Sequence, residues 1–361
     1  MSASHSDTWW ALGLAALLIS VGLPGVGTSG RAHAASAAAA AATVTSAPIV
    51  QSKITLSETS IDGPALWTNA PLGEPGAGAY SLIAWTGADA ARHVNVMRFS
   101  MSGNTVSFTD KAILPETSIA RPALTAQPSQ IHPAYYFVAW TGTNGAHSLN
   151  VICDGCATNR VKLTLRNETS FAAPALAMFS GKLMLAWAGD DANHSLNLLP
   201  ISITDGRLVP GVKTTLRAFN SGSGPALVSQ PNHPTGEWLL LTWQDRTSHR
   251  IRTALSTTGT TWSAADQVTY TEWSRTTPDL FMYVSLDGVG QSYLGWTGTD
   301  EVRSINLLYP AYPQTASTTS ATLDEAALGG PALGYIGDGR LALMWTGTDR
   351  LHHLNFAALS V

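Results

Sequence analysis

From residue 50 to the C-terminus, short apolar runs alternate with polar turns, and the alternation repeats. One stretch shows the unit best. Pro174-Ala-Leu-Ala-Met-Phe179 is apolar, Ser180-Gly-Lys182 has turn chemistry, and Leu183-Met-Leu-Ala-Trp187 is apolar again. Ala188-Gly-Asp-Asp-Ala-Asn193 turns, and His194-Ser-Leu-Asn-Leu-Leu-Pro-Ile201 follows. Thr204-Asp-Gly206 turns once more, and Lys213-Thr-Thr-Leu-Arg217 begins the next segment. Runs this short, bounded by Gly, Asp and Asn, read as strands. No segment keeps a 3.6-residue period, so helices should be nearly absent.

The unit recurs six times. Tryptophan stands at 85, 140, 187, 243, 296 and 345, and asparagine follows ten residues later in every copy but the fourth, as in Trp345-Thr-Gly-Thr-Asp-Arg-Leu-His-His-Leu-Asn355. Pro-x-Leu precedes each tryptophan, and a glutamate lies six residues before the proline at Glu58, Glu116, Glu168, Glu272 and Glu325; Phe219 replaces it in the fourth copy. Six units of four short strands predict an all-β, six-bladed β-propeller of antiparallel blades. The last copy ends at its third strand, so Val50–Leu56 is expected to supply the fourth and close the ring, leaving no open edge there.

Strand parity then assigns the loops. The turn between the second and third strands of a blade shares a face with the crossover into the next blade. That face should carry the five glutamates with Asp89, Asp191, Asp300 and Asp349, and His93, His147, His194, His249, His352 and His353 lie just beyond. Such a ring could offer similar shallow sites, as in a multivalent sugar binder. The same residues could equally serve the loops' own backbone groups, since every blade has the same packing problem to solve. The fourth and fifth copies break the repeat. Glu272-Trp-Ser-Arg275 alters the crossover, Asp279 replaces the alanine of Pro-Ala-Leu, and Arg246, His249, Arg250 and Arg252 add charge to the neighbouring turn. Glu272, Trp273, Arg275 and Asp279 are therefore candidates for holding an anionic or hydroxylated ligand by charged hydrogen bonds and stacking. Gln230-Pro-Asn-His-Pro-Thr-Gly-Glu237 forms a long turn on the opposite face.

Only 12% of residues are charged and the net charge is −4, which gives no basic surface for nucleic acid. At the N-terminus, Trp9–Leu23 is an apolar run too short to span a bilayer comfortably. Ala32-His-Ala34 follows, so residues 1–34 read as a signal peptide cleaved near Ala34/Ala35, although no Lys or Arg precedes Arg31. Residues 35–49 read as an Ala/Ser-rich linker, and 50–361 as the propeller. A secreted or extracellular location is expected, with no membrane insertion after cleavage, or an anchored one if the segment is retained. The two cysteines, Cys153 and Cys156, read as a local disulfide. No metal or other cofactor is expected, and the chain is expected to be a monomer.

Ser256-Thr-Thr-Gly-Thr-Thr-Trp262 and Ser100-Met-Ser-Gly-Asn-Thr-Val106 resemble worn Asp-box turns of sialidase-like propellers, without the aspartate. The resemblance implies the fold. It supplies no catalytic residues, because neither the three arginines nor the Tyr/Glu nucleophile pair of that family can be placed here. The sequence also lacks Gly-x-Ser-x-Gly, His-Glu-x-x-His and phosphate-loop motifs. The leading expectation is an exported module that binds glycans or a cell-surface ligand, without catalysis. A divergent sialidase-like glycoside hydrolase is the alternative, and a protein-interaction scaffold the third.

Overall fold

Side chains alternate across a strand, so a strand buried on both faces reads as one continuous apolar run. Leu183-Met-Leu-Ala-Trp187 is such a run, and its neighbours in space show why. Leu183, Leu185 and Trp187 pack with Phe137 and Val151 of the preceding repeat, while Met184 and Ala186 pack with Leu239 and Leu241 of the following one. The computed structural model describes residues 48–69, 80–127, 135–157, 159–230, 236–263, 267–284, 290–312 and 319–360. Residues 1–34, expected to be a signal peptide, and residues 35–47 of the expected linker lie outside them. The long turn at 230–237 is described only in part.

The strands form six blades. After β1 (Ile49–Thr59), the first blade is β2 (Ala65–Trp67), β3 (Tyr80–Thr86), β4 (His93–Ser102) and β5 (Thr105–Thr117). The second is β6 (Ala123–Gln127), β7 (Tyr135–Thr141), β8 (Ser148–Asp154) and β9 (Val161–Thr169). The third holds β10 (Ala175–Phe179), β11 (Lys182–Ala188), β12 (Ser195–Thr204), β13 (Arg207–Pro210) and β14 (Thr214–Asn220). The fourth is β15 (Ala226–Gln230), β16 (Trp238–Gln244), β17 (Arg250–Ser256) and β18 (Gln267–Trp273). The fifth is β19 (Asp279–Val284), β20 (Gly290–Thr297), β21 (Ser304–Tyr309) and β22 (Thr319–Ala326). The sixth is β23 (Ala332–Gly337), β24 (Arg340–Thr346) and β25 (His353–Ser360), completed by β1. All pairings are antiparallel, and no helix occurs among the described residues.

The ring closes as the repeat count requires. β1 pairs with β25 from Ile49↔Ser360 to Thr59↔His353, so the first strand among the described residues is the outermost strand of the last blade. The third blade departs from four plain strands. Its outer position is split between β13 and β14, both paired to β12. Pro200 lies on β12 where the split occurs and has no N–H to give, and Gly211 N donates to its carbonyl (2.7 Å) as the outer chain breaks step.

Six apolar clusters fill the six junctions between neighbouring blades, and each junction receives one repeat tryptophan. Trp85, Trp140, Trp187, Trp243 and Trp345 are fully buried. Burying a ring of this size contributes on the order of 4 to 6 kcal/mol by area. The recurrent tryptophans are therefore the core of the junctions. Cys153 and Cys156 form a disulfide at the end of β8, closing a loop too short to constrain the unfolded chain much.

Candidate functional site: the blade junctions and the axis

The crossovers and the second-to-third-strand turns do share one face. Ser60 of the crossover from blade six to blade one bridges Gly87 in the turn of blade one, while its N–H donates to His352 O in the turn of blade six (3.0 Å). Ser118, Ser170 and Ser221 bridge the next three turns in the same way. Each crossover is thus wedged between two turns.

The polar residues of the turns are held by their own loops. Asp89 accepts from the backbone of Ala91 and His93 and from the His93 ring (2.8 Å). Asp191, Asp300 and Asp349 repeat this with Ser195, Ser304 and His353. Partial burial alone would raise these carboxyls. The hydrogen bonds outweigh it and hold all four below the ordinary carboxylate value. His147, His194, His249 and His352 sit at φ of 49° to 57°, closing their turns. His249 Nδ1 also lies 3.1 Å from Gln244 Nε2, and Arg246 donates to the Ala192 carbonyl. In every copy but the fourth, the asparagine ten residues after the tryptophan anchors the turn, as Asn197 does through Nδ2 to Ser195 O (2.9 Å).

The glutamates lead to residues that the sequence reading passed over. Glu168 accepts from Lys213 of the next blade (2.7 Å), Glu116 from Lys162 (2.5 Å), Glu325 from Lys53 (2.6 Å), and Glu58 from Lys111. Each ammonium also lies 5.3 to 6.0 Å from the ring of its own blade's tryptophan. At three of the four, a threonine two residues on, such as Thr215, donates to the repeat asparagine (2.7 Å), while Ile113 takes that place beside Lys111. At these three junctions glutamate from one blade therefore meets lysine, threonine, asparagine and tryptophan of the next. Between blades two and three these groups line a cleft of about 510 Å³. A signal for the lysines was present: Lys53, Lys111 and Lys162 precede Glu58, Glu116 and Glu168 by five or six residues on the same strand.

Two junctions differ. Between blades three and four, Phe219 stands for the glutamate and stacks on Trp243 (centroids 4.9 Å apart), and Arg252 takes the asparagine position opposite Trp243. Between blades four and five, Glu272 is kept, but Ser320 occupies the register position of the lysine, opposite Leu308.

The candidates around Glu272 do not gather into one group. Trp273 ends the outermost strand of blade four and carries Arg250 over its ring (5.2 Å). Arg275 donates to Thr299 O (3.4 Å). Asp279 opens the innermost strand of blade five, a full sheet width away from Trp273. It faces the axis, where Oδ1 pairs with Arg121 of blade two (3.4 Å) and Oδ2 accepts from Leu333 N (2.8 Å). Arg121 also donates to Pro331 O (3.1 Å) and its backbone N–H to Asp62 (2.9 Å). Burial pushes the Asp279 carboxyl above the ordinary carboxylate value, against the pull of Arg121. The position before the repeat proline is otherwise small or threonine, because these residues crowd the axis: a Cβ on Gly63 would lie 2.0 Å from Gly330 O. Arg121 was the legible exception. Behind this pair the inner strands line a largely apolar cavity of about 580 Å³ with Trp67, Met178, Phe281 and Tyr335 on its wall.

The third-to-fourth-strand turn of blade four, at 256–262, is held by its own side chains. Ser256 Oγ accepts from Gly259 N (2.9 Å) and donates to Thr261 O (2.7 Å), and Gly259 takes a φ of +74° against Phe179.

No protein-family model and no curated protein sequence matches the chain. Solved structures do. AofleA from Arthrobotrys oligospora superposes with a TM-score of 0.56 at 11% identity, over 85% of this chain and 86% of that one. A mutant Aleuria aurantia lectin in complex with α-methyl-L-fucoside gives 0.56 at 9% identity, over 84% and 96%. A protein of unknown function from Dyadobacter fermentans gives 0.57 at 10% identity, over 87% and 99%. The likeness is one of fold. A further structure of the Aleuria lectin is described as a six-bladed β-propeller with a novel fucose recognition mode, and the blade count agrees with the one found here.

Proposed function

We propose that the protein is a multivalent glycan-binding propeller whose sites are the clefts between neighbouring blades, and that it acts by recognition without catalysis. One observation carries this reading. A carboxylate, an ammonium, an amide and a hydroxyl set around a tryptophan recur at three junctions, and at Glu168, Lys213, Asn197 and Thr215 they line a cleft. Sugars present hydroxyl groups that both donate and accept, and a charged pair offers strong partners of both kinds. The fucoside bound by a lectin of the same fold supports the choice of ligand class. A glycan array followed by calorimetry tests it. Several equivalents of one neutral glycan should bind per chain, and Lys213→Ala should remove one equivalent while shifting stability by no more than about 1 kcal/mol. Absence of binding across the array would overturn the reading.

We propose further that the chain is exported, as the apolar run before Ala32-His-Ala34 and the disulfide both suit. N-terminal sequencing of protein recovered from the medium should begin near Ala35. The worn Asp-box at 256–262 supports a kinship with sialidase-like propellers at the level of blade construction only.

A further inference from the structure

Four junctions hold a primary ammonium in one fixed arrangement. A lysine Nζ sits against a glutamate Oε2 of the preceding blade and over the ring of a buried tryptophan. The junction between blades four and five keeps the rest of this arrangement and lacks the ammonium. Glu272 is the glutamate, Trp296 the tryptophan, and Thr322 donates to Asn306 (2.7 Å) as its counterparts do. The lysine position is an exposed serine, Ser320.

The carboxylate shows the consequence. Glu272 Oε1 accepts from Thr271 (2.9 Å), while Oε2 is buried and has no hydrogen-bond partner. A buried carboxylate oxygen without a donor is costly. Among the described residues no lysine, arginine or histidine pairs with Glu272. Arg275, three residues on, is turned to Thr299 O, and the segment leading into β22, 313–318, contains no Lys, Arg or His. We infer that this junction takes its ammonium from a ligand: it binds a primary amine, which occupies the place that lysine fills at the four sister junctions. If the junctions are glycan clefts, as proposed above, the ligand is an amino sugar with its amine free. The ammonium then pairs with Glu272, the ring of Trp296 lies beneath it, and the sugar hydroxyls extend to the polar groups of the cleft.

The test is calorimetric titration of the full chain with a glucosamine trimer, its fully N-acetylated counterpart and 1,5-diaminopentane. The free-amine trimer should bind with one equivalent that the acetylated trimer does not show. Ser320→Lys supplies the missing ammonium internally. It should abolish that equivalent, leave neutral-glycan binding at the other junctions intact, and keep or raise the melting temperature. Glu272→Gln should weaken the amine at least about tenfold. Equal binding of both trimers at this junction, or amine binding that survives Ser320→Lys, overturns the inference and leaves the general glycan reading standing. Binding of diaminopentane that Ser320→Lys removes, with no neutral glycan bound anywhere, supports the amine site and overturns the glycan reading instead.

Discussion

The blades are joined in two different ways, and the difference separates what repeats from what is singular. At the rim, a half-exposed lysine and a glutamate pair across four of the six junctions, each over a buried tryptophan. At the axis, among the described residues, one ion pair spans the ring. Arg121 and Asp279 reach each other from blades two and five, with side chains only 11% and 17% exposed. The rim pairs are a solution found once and copied. The axial pair is made of two departures from the repeat that make sense only together. Arginine stands where the other copies have glycine, alanine or threonine, and aspartate where they have alanine. Exposed pairs contribute little each, whereas breaking a buried one strands a charge.

The strongest way to break the comparison is to remove the rim where the ring closes. Deleting residues 48–59 takes away β1, strips blade six of its outer strand and removes Lys53 and Glu58 from two junctions. Loss of cooperative melting, or a midpoint lower by roughly 10 °C or more, is expected by calorimetry. A truncated chain that melts like the full one would show that closure does not depend on the rim.

The axis comes next. Arg121→Gly leaves Asp279 buried without its cation and should cost about 3 to 5 kcal/mol in denaturant unfolding. Arg121→Gly combined with Asp279→Ala restores residues of the other repeats and should cost less than the single change. Additive costs would mean that the two departures are independent, and the contrast with the rim would fall.

The smallest effect is acid sensitivity of the turn face. Asp89, Asp191, Asp245, Asp300 and Asp349 are all held below the ordinary carboxylate value of 3.8: burial opposes this in each, and hydrogen bonds from the turn override it. A carboxyl with a depressed folded pKa stabilises the fold above its unfolded value and ceases to do so as pH falls through the folded one. Asp279, raised by burial, has the opposite sign, and its contribution is lost as pH rises. Stability should therefore hold above about pH 5 and decline below 3.8 as the five turns lose their charge. A decline centred well above pH 5 would show that the turn aspartates do not set the acid sensitivity.

Much of the ring was legible because its signals are local. Turn residues, apolar runs and the spacing of Trp85 to Trp345 repeat along the chain, and a strand count that ends one short names its own remedy. Parity alone placed the glutamates and the turns on one face. Their partners were not legible in the same way. Lys213 meets Glu168 from 45 residues away, and Arg121 meets Asp279 from 158. No period along the chain links them.

By itself, the sequence determined the number of blades, the strand that closes them and the face on which the polar motifs lie, because these follow from periodicity and alternation. Only the tertiary structure decided what the motifs do there. Asp349 of Trp345-Thr-Gly-Thr-Asp is bound by its own turn, Glu168 is paired to the next blade, and Glu272 alone among the recurrent glutamates is left without a lysine. Each of these depends on which side chain the neighbouring blade brings to the junction, and closure of the ring fixes that.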